Sequence, residues 1–434
     1  MAVLLMNITV STGWAVLGGL ALVFVLLFLL AGVIGPMPQY TISSRCDISD
    51  NRSEMFLNVL ESLTDAKINQ AGTLEVLTNG PSFYPAALDA MRSAQQSICL
   101  EAYIFQRSEI GRLYLDVMTE RAGAGLQVNV LLDAFGSMGA NTAFFKPLLD
   151  AGGRMEWYNK PRWYSLARVD NRTHRELLIV DGRVGFIGGA GIADQWFKGS
   201  EKHPLWRDTM VRVEGDAVPN LLATFAENWL TSHGELLTGL RYFPEIHCQE
   251  KTVAMVINST PTPGGSTRAR VLFQMLLASA ERSISITTPY FLPGKGLVRE
   301  LCRAVERGVK IRILVPGRGS DHMLTRSTSR GAYGPLLRAG AEVYEYQPSM
   351  IHAKVLVVDE LWAVVGSTNF DNRSFGINDE VNLAVCDPAI AARLERDMAH
   401  DLTKSRLVSL DEWEHRPVTE RAPELLGWIF ERQQ

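Results

Sequence analysis

Two segments of this 434-residue chain carry a histidine, an aspartate and a glycine-led turn at one spacing. The later reads IHAKVLVVDELWAVVGSTNF (351–370) and the earlier THRELLIVDGRVGFIGGAGI (173–192). His352 and His174 each precede an aspartate, Asp359 or Asp181, by seven residues, and Gly366 or Gly188 follows seven beyond that. Side chains two apart in a strand share a face, so His352 and Lys354 point together. Gly366, Ser367 and Asn369 add backbone N–H groups, a hydroxyl and an amide, and Gly188 and Gly189 are the corresponding turn of the earlier copy. Together with an imidazole and an ammonium they suit a tetrahedral oxyanion such as a phosphodiester.

Two histidines explain why two copies are needed. One imidazole can attack phosphorus while the other delivers a proton to the departing alkoxide, the roles reversing as a second alcohol or water enters. An unperturbed pKa near 6.5 keeps both protonation states accessible at neutral pH. The scheme needs no metal and no cofactor, and the residues alone do not say which ring attacks. Asp181 and Asp359 belong with the catalytic candidates. Asp208 and Glu380, in later strand-like runs, are candidates to orient the imidazoles from the far ring nitrogen. A lone histidine in an apolar strand is ordinarily a core residue; what argues for chemistry is its convergence with Lys354, Gly366, Ser367 and Asn369.

The copies differ at one decisive place: Glu176 stands where Lys354 stands in the later copy. A carboxylate facing a phosphodiester repels it, and an unpaired one in a closed cleft is costly. Three outcomes are open. An arginine other than Arg175, which alternation turns to the opposite face, pairs with it; or Glu176 orients His174 or activates the entering hydroxyl; or the first half-site is weak.

The elements around these motifs repeat as well. SICLEAYIF (97–105) matches SISITTPYF (283–291), GLQVNVLLDAFGS (125–137) matches GVKIRILVPGRGS (308–320), and AGGRMEWY (151–158) matches AGAEVYEY (339–346). Strands separated by helical stretches predict an α/β fold of two similar units, each a mixed sheet flanked by helices. The expected divisions are an anchor over 1–44, a polar lead-in over 45–75, units over 76–240 and 250–400, and a helical tail over 401–434. The units join across the turn-rich TPTPGGST (260–267). An apolar cluster with Leu425, Trp428 and Phe430 near the end is read as packing on the body.

The bulk numbers narrow the function. A net charge of −4 gives no global case for nucleic acid. Five scattered cysteines without a CxxC pair indicate neither a disulfide framework nor a thiolate metal site. Residues 14–34 are free of charge, and as a helix would reach about 30 Å, the thickness of a bilayer core. No basic residue precedes this run, as a cleaved signal would require, so a retained anchor is expected. Arg45 and Arg52 follow it, placing the larger part on the cytoplasmic side. Trp157, Tyr158, Trp163 and Tyr164, interleaved with Lys160, Arg162 and Arg168, suit an anionic headgroup layer, though such a run also suits a nucleic-acid backbone.

These motifs resemble the paired HxK(x)₄D(x)₆G motifs of the phospholipase D superfamily, and most nearly its bacterial cardiolipin synthases. The resemblance runs from about residue 76 to 400 and includes TTPYFLPGKGL, YEYQPSMIHAK and NFDNRSFGINDEVN. It implies a shared central cleft, a phosphohistidine, and transfer of a phosphatidyl group between two phosphatidylglycerol molecules at the bacterial inner membrane. By that pattern His174 is the nucleophile, His352 the general acid, and Lys354 and Asn369 hold the phosphate. Glu176 and Gly191 depart from it, standing where the pattern has lysine and asparagine. Phospholipid hydrolysis, nuclease activity and a non-catalytic role remain alternatives.

Overall fold

The computed structural model describes residues 17–24, 42, 50–160, 170–200, 204–246, 252–261, 267–317, 319 and 323–417. The first half contributes strands β1 (Ile68–Thr78), β2 (Ser97–Ala102), β3 (Gln127–Asp133), β4 (Arg154–Tyr158), β5 (Leu177–Val180), β6 (Val184–Gly188) and β7 (Thr209–Gly215). The second contributes β8 (Thr252–Ser259), β9 (Ser283–Thr287), β10 (Phe291–Leu292), β11 (Lys310–Pro316), β12 (Glu342–Tyr346), β13 (Val355–Val358), β14 (Trp362–Gly366), β15 (Phe370–Asp371), β16 (Glu380–Cys386) and β17 (Ser405–Leu407).

All but β10 and β15 form one sheet, ordered β17-β12-β11-β9-β13-β14-β16-β8-β1-β7-β6-β5-β2-β3-β4. The order mirrors itself about the antiparallel β1–β8 pair. In each half three parallel strands continue into antiparallel ones, giving the expected mixed sheet. Two separate sheets were expected, and they are one. The join is made by β1, which begins within the expected lead-in, after a helix over Glu54–Thr64 capped by Ser53.

Strand alternation assigns the cores. Leu178 and Val180 of β5 face one layer, with Phe83, Tyr114 and Met118 of the helices Gly80–Ser93 and Glu109–Gly123. Leu177 and Ile179 face the other, where Phe225 and Trp229 of helix Val218–His233 meet Val357, Val365 and Leu383 from the second half. That shared apolar layer welds the halves. In the second half Leu356 and Val358 face a third cluster, with Leu272 and Leu301 of helices Arg268–Ser279 and Lys295–Glu306.

Several sequence expectations end differently or lie elsewhere. The expected tail starts with the end of helix Pro388–Leu402 and continues through edge strand β17 to a short helix over Leu410–Glu414, so it is not purely helical; its apolar cluster lies outside the described residues. So do Cys46, Cys248, most of the 260–267 linker and the run 161–169 holding Trp163, Tyr164 and Arg168. Residues 17–24 are helical, and the rest of the expected span over 14–34 lies outside the described residues. Among the described residues no helix is long and apolar enough to cross a membrane.

Candidate active site

Both histidines sit just before their strands, at the seam of the halves, and the backbone puts them there by crossing over. His174 N donates to Asp379 O (2.9 Å) and Asp379 N donates to Arg172 O (2.9 Å). The mirror pair is His352 N to Arg207 O (2.7 Å) and Arg207 N to Met350 O (2.9 Å). Each histidine segment therefore docks beside the carboxylate-bearing segment of the other half. His174 Nδ1 lies 3.1 Å from both carboxylate oxygens of Glu380, and His352 Nδ1 lies 2.9 Å from Asp208 Oδ2. Nδ1 of each ring is thus engaged by a buried carboxylate.

The carboxylates are themselves held. Asp208 also accepts from Trp196 Nε1 (3.0 Å) and from Thr209 N (2.8 Å). Burial alone would raise its carboxyl, but the bond and charge of His352, with Lys354 nearby, hold it below the usual range. Glu380 is fully buried and accepts from the Ser367 hydroxyl. Nearby Asp371 is pushed up to about 6 by burial, opposed by the Ser374 N–H and reinforced by Glu380.

Aromatic rings enclose the imidazoles unequally. Tyr103 stands edge-on to His174, centroids 5.2 Å apart. Trp196 and Trp206 lie 5.2 and 5.7 Å from His352. The sequence reading missed all three; Trp206 and Tyr103 flank motif positions, but nothing in their spacing marks them. Lys354 lies alongside the His352 ring, its Nζ 2.8 Å from Nδ1 and 3.0 Å from Nε2 and donating to His352 O at 2.8 Å. Asn369 is buried, and among the described residues its Oδ1 has no hydrogen-bond partner.

The turn glycines act differently from expectation. Ser367 N donates to Val381 O (2.9 Å) and Gly366 N to Lys354 O (3.4 Å), so these N–H groups are taken up within the protein. The service of Ser367 is to Glu380. Gly188 closes β6, and Gly189 allows close approach: a Cβ there would lie 2.9 Å from Lys354 Cδ and 3.0 Å from His352 O.

Asp181 and Asp359 are placed away from the chemistry. Each occupies the hairpin turn at the far end of its strand, with φ of 56° and 55°. Asp181 accepts from Gln95 N, Gln96 N and Ser97 N at 2.7–2.9 Å. Asp359 accepts from Glu281 N, Arg282 N and Ser283 N, and from Asn51 Nδ2 at 3.1 Å. They tie the starts of β2 and β9 to the motif hairpins, which is a folding task.

Glu176 is buried and, among the described residues, meets no arginine. Its Oε1 accepts from the backbone N–H groups of Tyr103 (3.1 Å) and Ile104 (3.3 Å). Burial drives its carboxyl well above the usual range, with those two N–H groups and the Lys354 charge opposing. Orienting His174 falls to Glu380 instead. Gly191 belongs to the same departure, since a Cβ there would lie 2.8 Å from Ile104 and 3.3 Å from Glu176 Oε1. Arg175 does point to the other face, where it is buried against Thr224 O (2.8 Å) and Glu227 (3.0 Å). Among the described residues no cluster of acidic, histidine or cysteine side chains could hold a metal.

Known proteins resemble this chain over most of its length. The family model described as cardiolipin synthase, PLD-like domain, matches twice, at residues 87–226 and 273–402. The major cardiolipin synthase ClsA of Bacillus subtilis is 33% identical over 396 residues, covering 90% of this chain and 81% of the relative. Cardiolipin synthase A of Pseudomonas fluorescens is 31% identical over 342 residues, covering 78% and 70%. In fold, the chain is similar to a phosphatidylserine synthase of Haemophilus influenzae, with a TM-score of 0.66, 16% identity, and coverage of 86% of this chain and 99% of that one. The chain belongs to the cardiolipin synthase family of phospholipase D-like proteins.

Proposed function

We propose that this protein is a phosphatidyltransferase that makes cardiolipin from two phosphatidylglycerol molecules and releases glycerol. The observation that carries the reading is the crossed pair His174–Glu380 and His352–Asp208: two imidazoles at one seam, each fixed through Nδ1 by a buried carboxylate. In the first half-reaction His174 Nε2 attacks phosphorus, and the bond from phosphorus to the glycerol oxygen breaks. The departing alkoxide takes a proton from the His352 imidazolium. In the second, a hydroxyl of the next phosphatidylglycerol gives its proton to neutral His352 as its oxygen attacks the phosphohistidine, freeing His174. Glu380 stabilises positive charge on the first ring, and Asp208 does so on the second. Lys354 and the Asn369 amide hold the phosphate in the second half.

The substrate class follows from the family relatives and from the uncharged run over 14–34, read here as a single-pass anchor. Arg45 and Arg52 behind it favour a cytoplasmic catalytic part at the bacterial inner membrane. The test is incubation of the full chain with phosphatidylglycerol vesicles, followed by lipid chromatography and glycerol assay. Cardiolipin and glycerol in equal amounts are expected, and H174A and H352A abolish both. Phosphatidic acid as the main product would replace transfer with hydrolysis. Nucleic-acid cleavage without lipid turnover would overturn the reading.

A further inference from the structure

The turn that follows β3 carries two large apolar side chains in solvent beside the first half-site. Phe135 is 59% and Met138 65% exposed. They are held there by the local bonding. Asp133 Oδ1 accepts from Phe135 N (2.8 Å) and Gly136 N (3.0 Å). The Ser137 hydroxyl donates to Tyr103 O (2.7 Å) and accepts from Phe105 N (2.9 Å). Arg107, itself exposed, donates through Nε to Gly139 O (3.0 Å) and sets a cation beside the pair.

The repeated sequence does not keep apolar residues here. In the aligned stretch of the second half, Arg318 stands opposite Phe135 and Asp321 opposite Met138. The same turn is also linked to the His174 segment through Asp133 at its base. Asp133 Oδ2 accepts from Thr173 N (3.1 Å), the residue before His174. Gly136 lies so close to the Tyr103 ring that a Cβ would stand 2.7 Å from it, and Tyr103 is the ring edge-on to His174.

We propose that the 134–139 turn is a lip of the active-site mouth that inserts Phe135 and Met138 into the interface of an anionic phospholipid bilayer. Arg107 meets the headgroups there. A preformed apolar pair beside a cation suits a bilayer surface, which offers acyl chains beneath anionic headgroups. The Asp133 carboxylate bridges the lip and the His174 segment, so docking brings a headgroup phosphate to the nucleophile without lifting the lipid out of the membrane. The inference deepens the proposed lipid reaction and rests on it for the identity of the surface.

The full chain carrying a benzoylphenylalanine photocrosslinker in place of Phe135 is irradiated with vesicles of phosphatidylglycerol and phosphatidylcholine. A lipid adduct at position 135 is expected. A crosslink to a second copy, a crosslink within the chain, or none would overturn the proposal. This readout needs no turnover, so it is judged even if no cardiolipin forms. For turnover, F135S/M138S is compared with wild type on vesicles and on short-chain phosphatidylglycerol dispersed as monomers. An about tenfold loss of kcat/KM on vesicles, with monomer turnover unchanged and vesicle rates restored in F135L/M138L, is expected from losing part of two apolar burials. Equal losses on both substrates would make the turn merely structural and sink the idea.

Discussion

His174 and Glu380 are 206 residues apart in sequence, yet one ring nitrogen of the first lies 3.1 Å from both oxygens of the second. Asp208 and His352, 144 residues apart, repeat the relationship with the halves exchanged. Each unit thus places its carboxylate on the other's histidine, and in the proposed reaction neither half orients its imidazole alone.

Removing the charge of one carboxylate while keeping its shape tests this directly. E380Q should fold normally and lose on the order of a hundredfold or more in kcat, because the amide no longer stabilises a positive His174 ring. D208N should do the same through His352. Single-turnover kinetics on phosphatidylglycerol, with a melting temperature as control, reads both. Turnover like wild type in either variant would remove that carboxylate from the mechanism.

Glu176 should behave as an acceptor for two backbone donors. E176Q keeps a carbonyl oxygen for Tyr103 N and Ile104 N and should retain activity to within about threefold. E176A leaves both buried donors unmet and should cost about 2–4 kcal/mol of stability, with a fall in activity. E176K, which restores the pattern of the later motif, should lower turnover, since an ammonium cannot accept those bonds. A gain in turnover for E176K would show instead that the carboxylate damages the half-site.

Asp181 and Asp359 should matter for stability and little for chemistry. Each alanine variant strips three backbone N–H groups of a charged acceptor, for an expected loss of about 2–3 kcal/mol. Denaturant unfolding measures this. The kcat of the folded fraction should stay within about twofold of wild type, in contrast to the histidine variants.

Glu101 gives the protein a pH signature. It is fully buried behind the His174 segment, accepting from Thr173 Oγ1 (2.5 Å) and Asn228 Nδ2 (2.8 Å). Burial, opposed by Arg175, pushes its carboxyl up to about 7 from an ordinary 4.5. Below pH 4.5 both folded and unfolded chains hold the proton. Between there and 7 only the folded chain does, so stability falls as pH rises through that window and levels off above it. E101Q should remove this slope, gaining about 3 kcal/mol on wild type between pH 4.5 and 8. Parallel stability curves for the two proteins would show that Glu101 does not titrate there.

Much of this was legible in the chain. The repeated spacing around His174 and His352, the strands of β-branched residues and the helical stretches between them give two α/β units and a phosphodiester chemistry. The reason is local: alternation and turn chemistry act over a few residues, and a motif copied with its flanking elements reveals the duplication. Asp181 and Asp359 mark the limit of such reading, because they share the histidines' spacing without sharing their pocket. A hairpin sends its turn to the end opposite its open strands.

Sequence by itself determined which residues carry charge and protons and that they come in two copies. Tertiary structure alone decided the pairing. The antiparallel β1–β8 join makes one mirrored sheet, and the histidine segments bond across its seam, so Glu380 serves His174 and Asp208 serves His352. No local rule ties residues so far apart in the chain. Their meeting is set by burial of the shared apolar layer between the halves, and the fate of Glu176 by two backbone donors that only the folded chain presents.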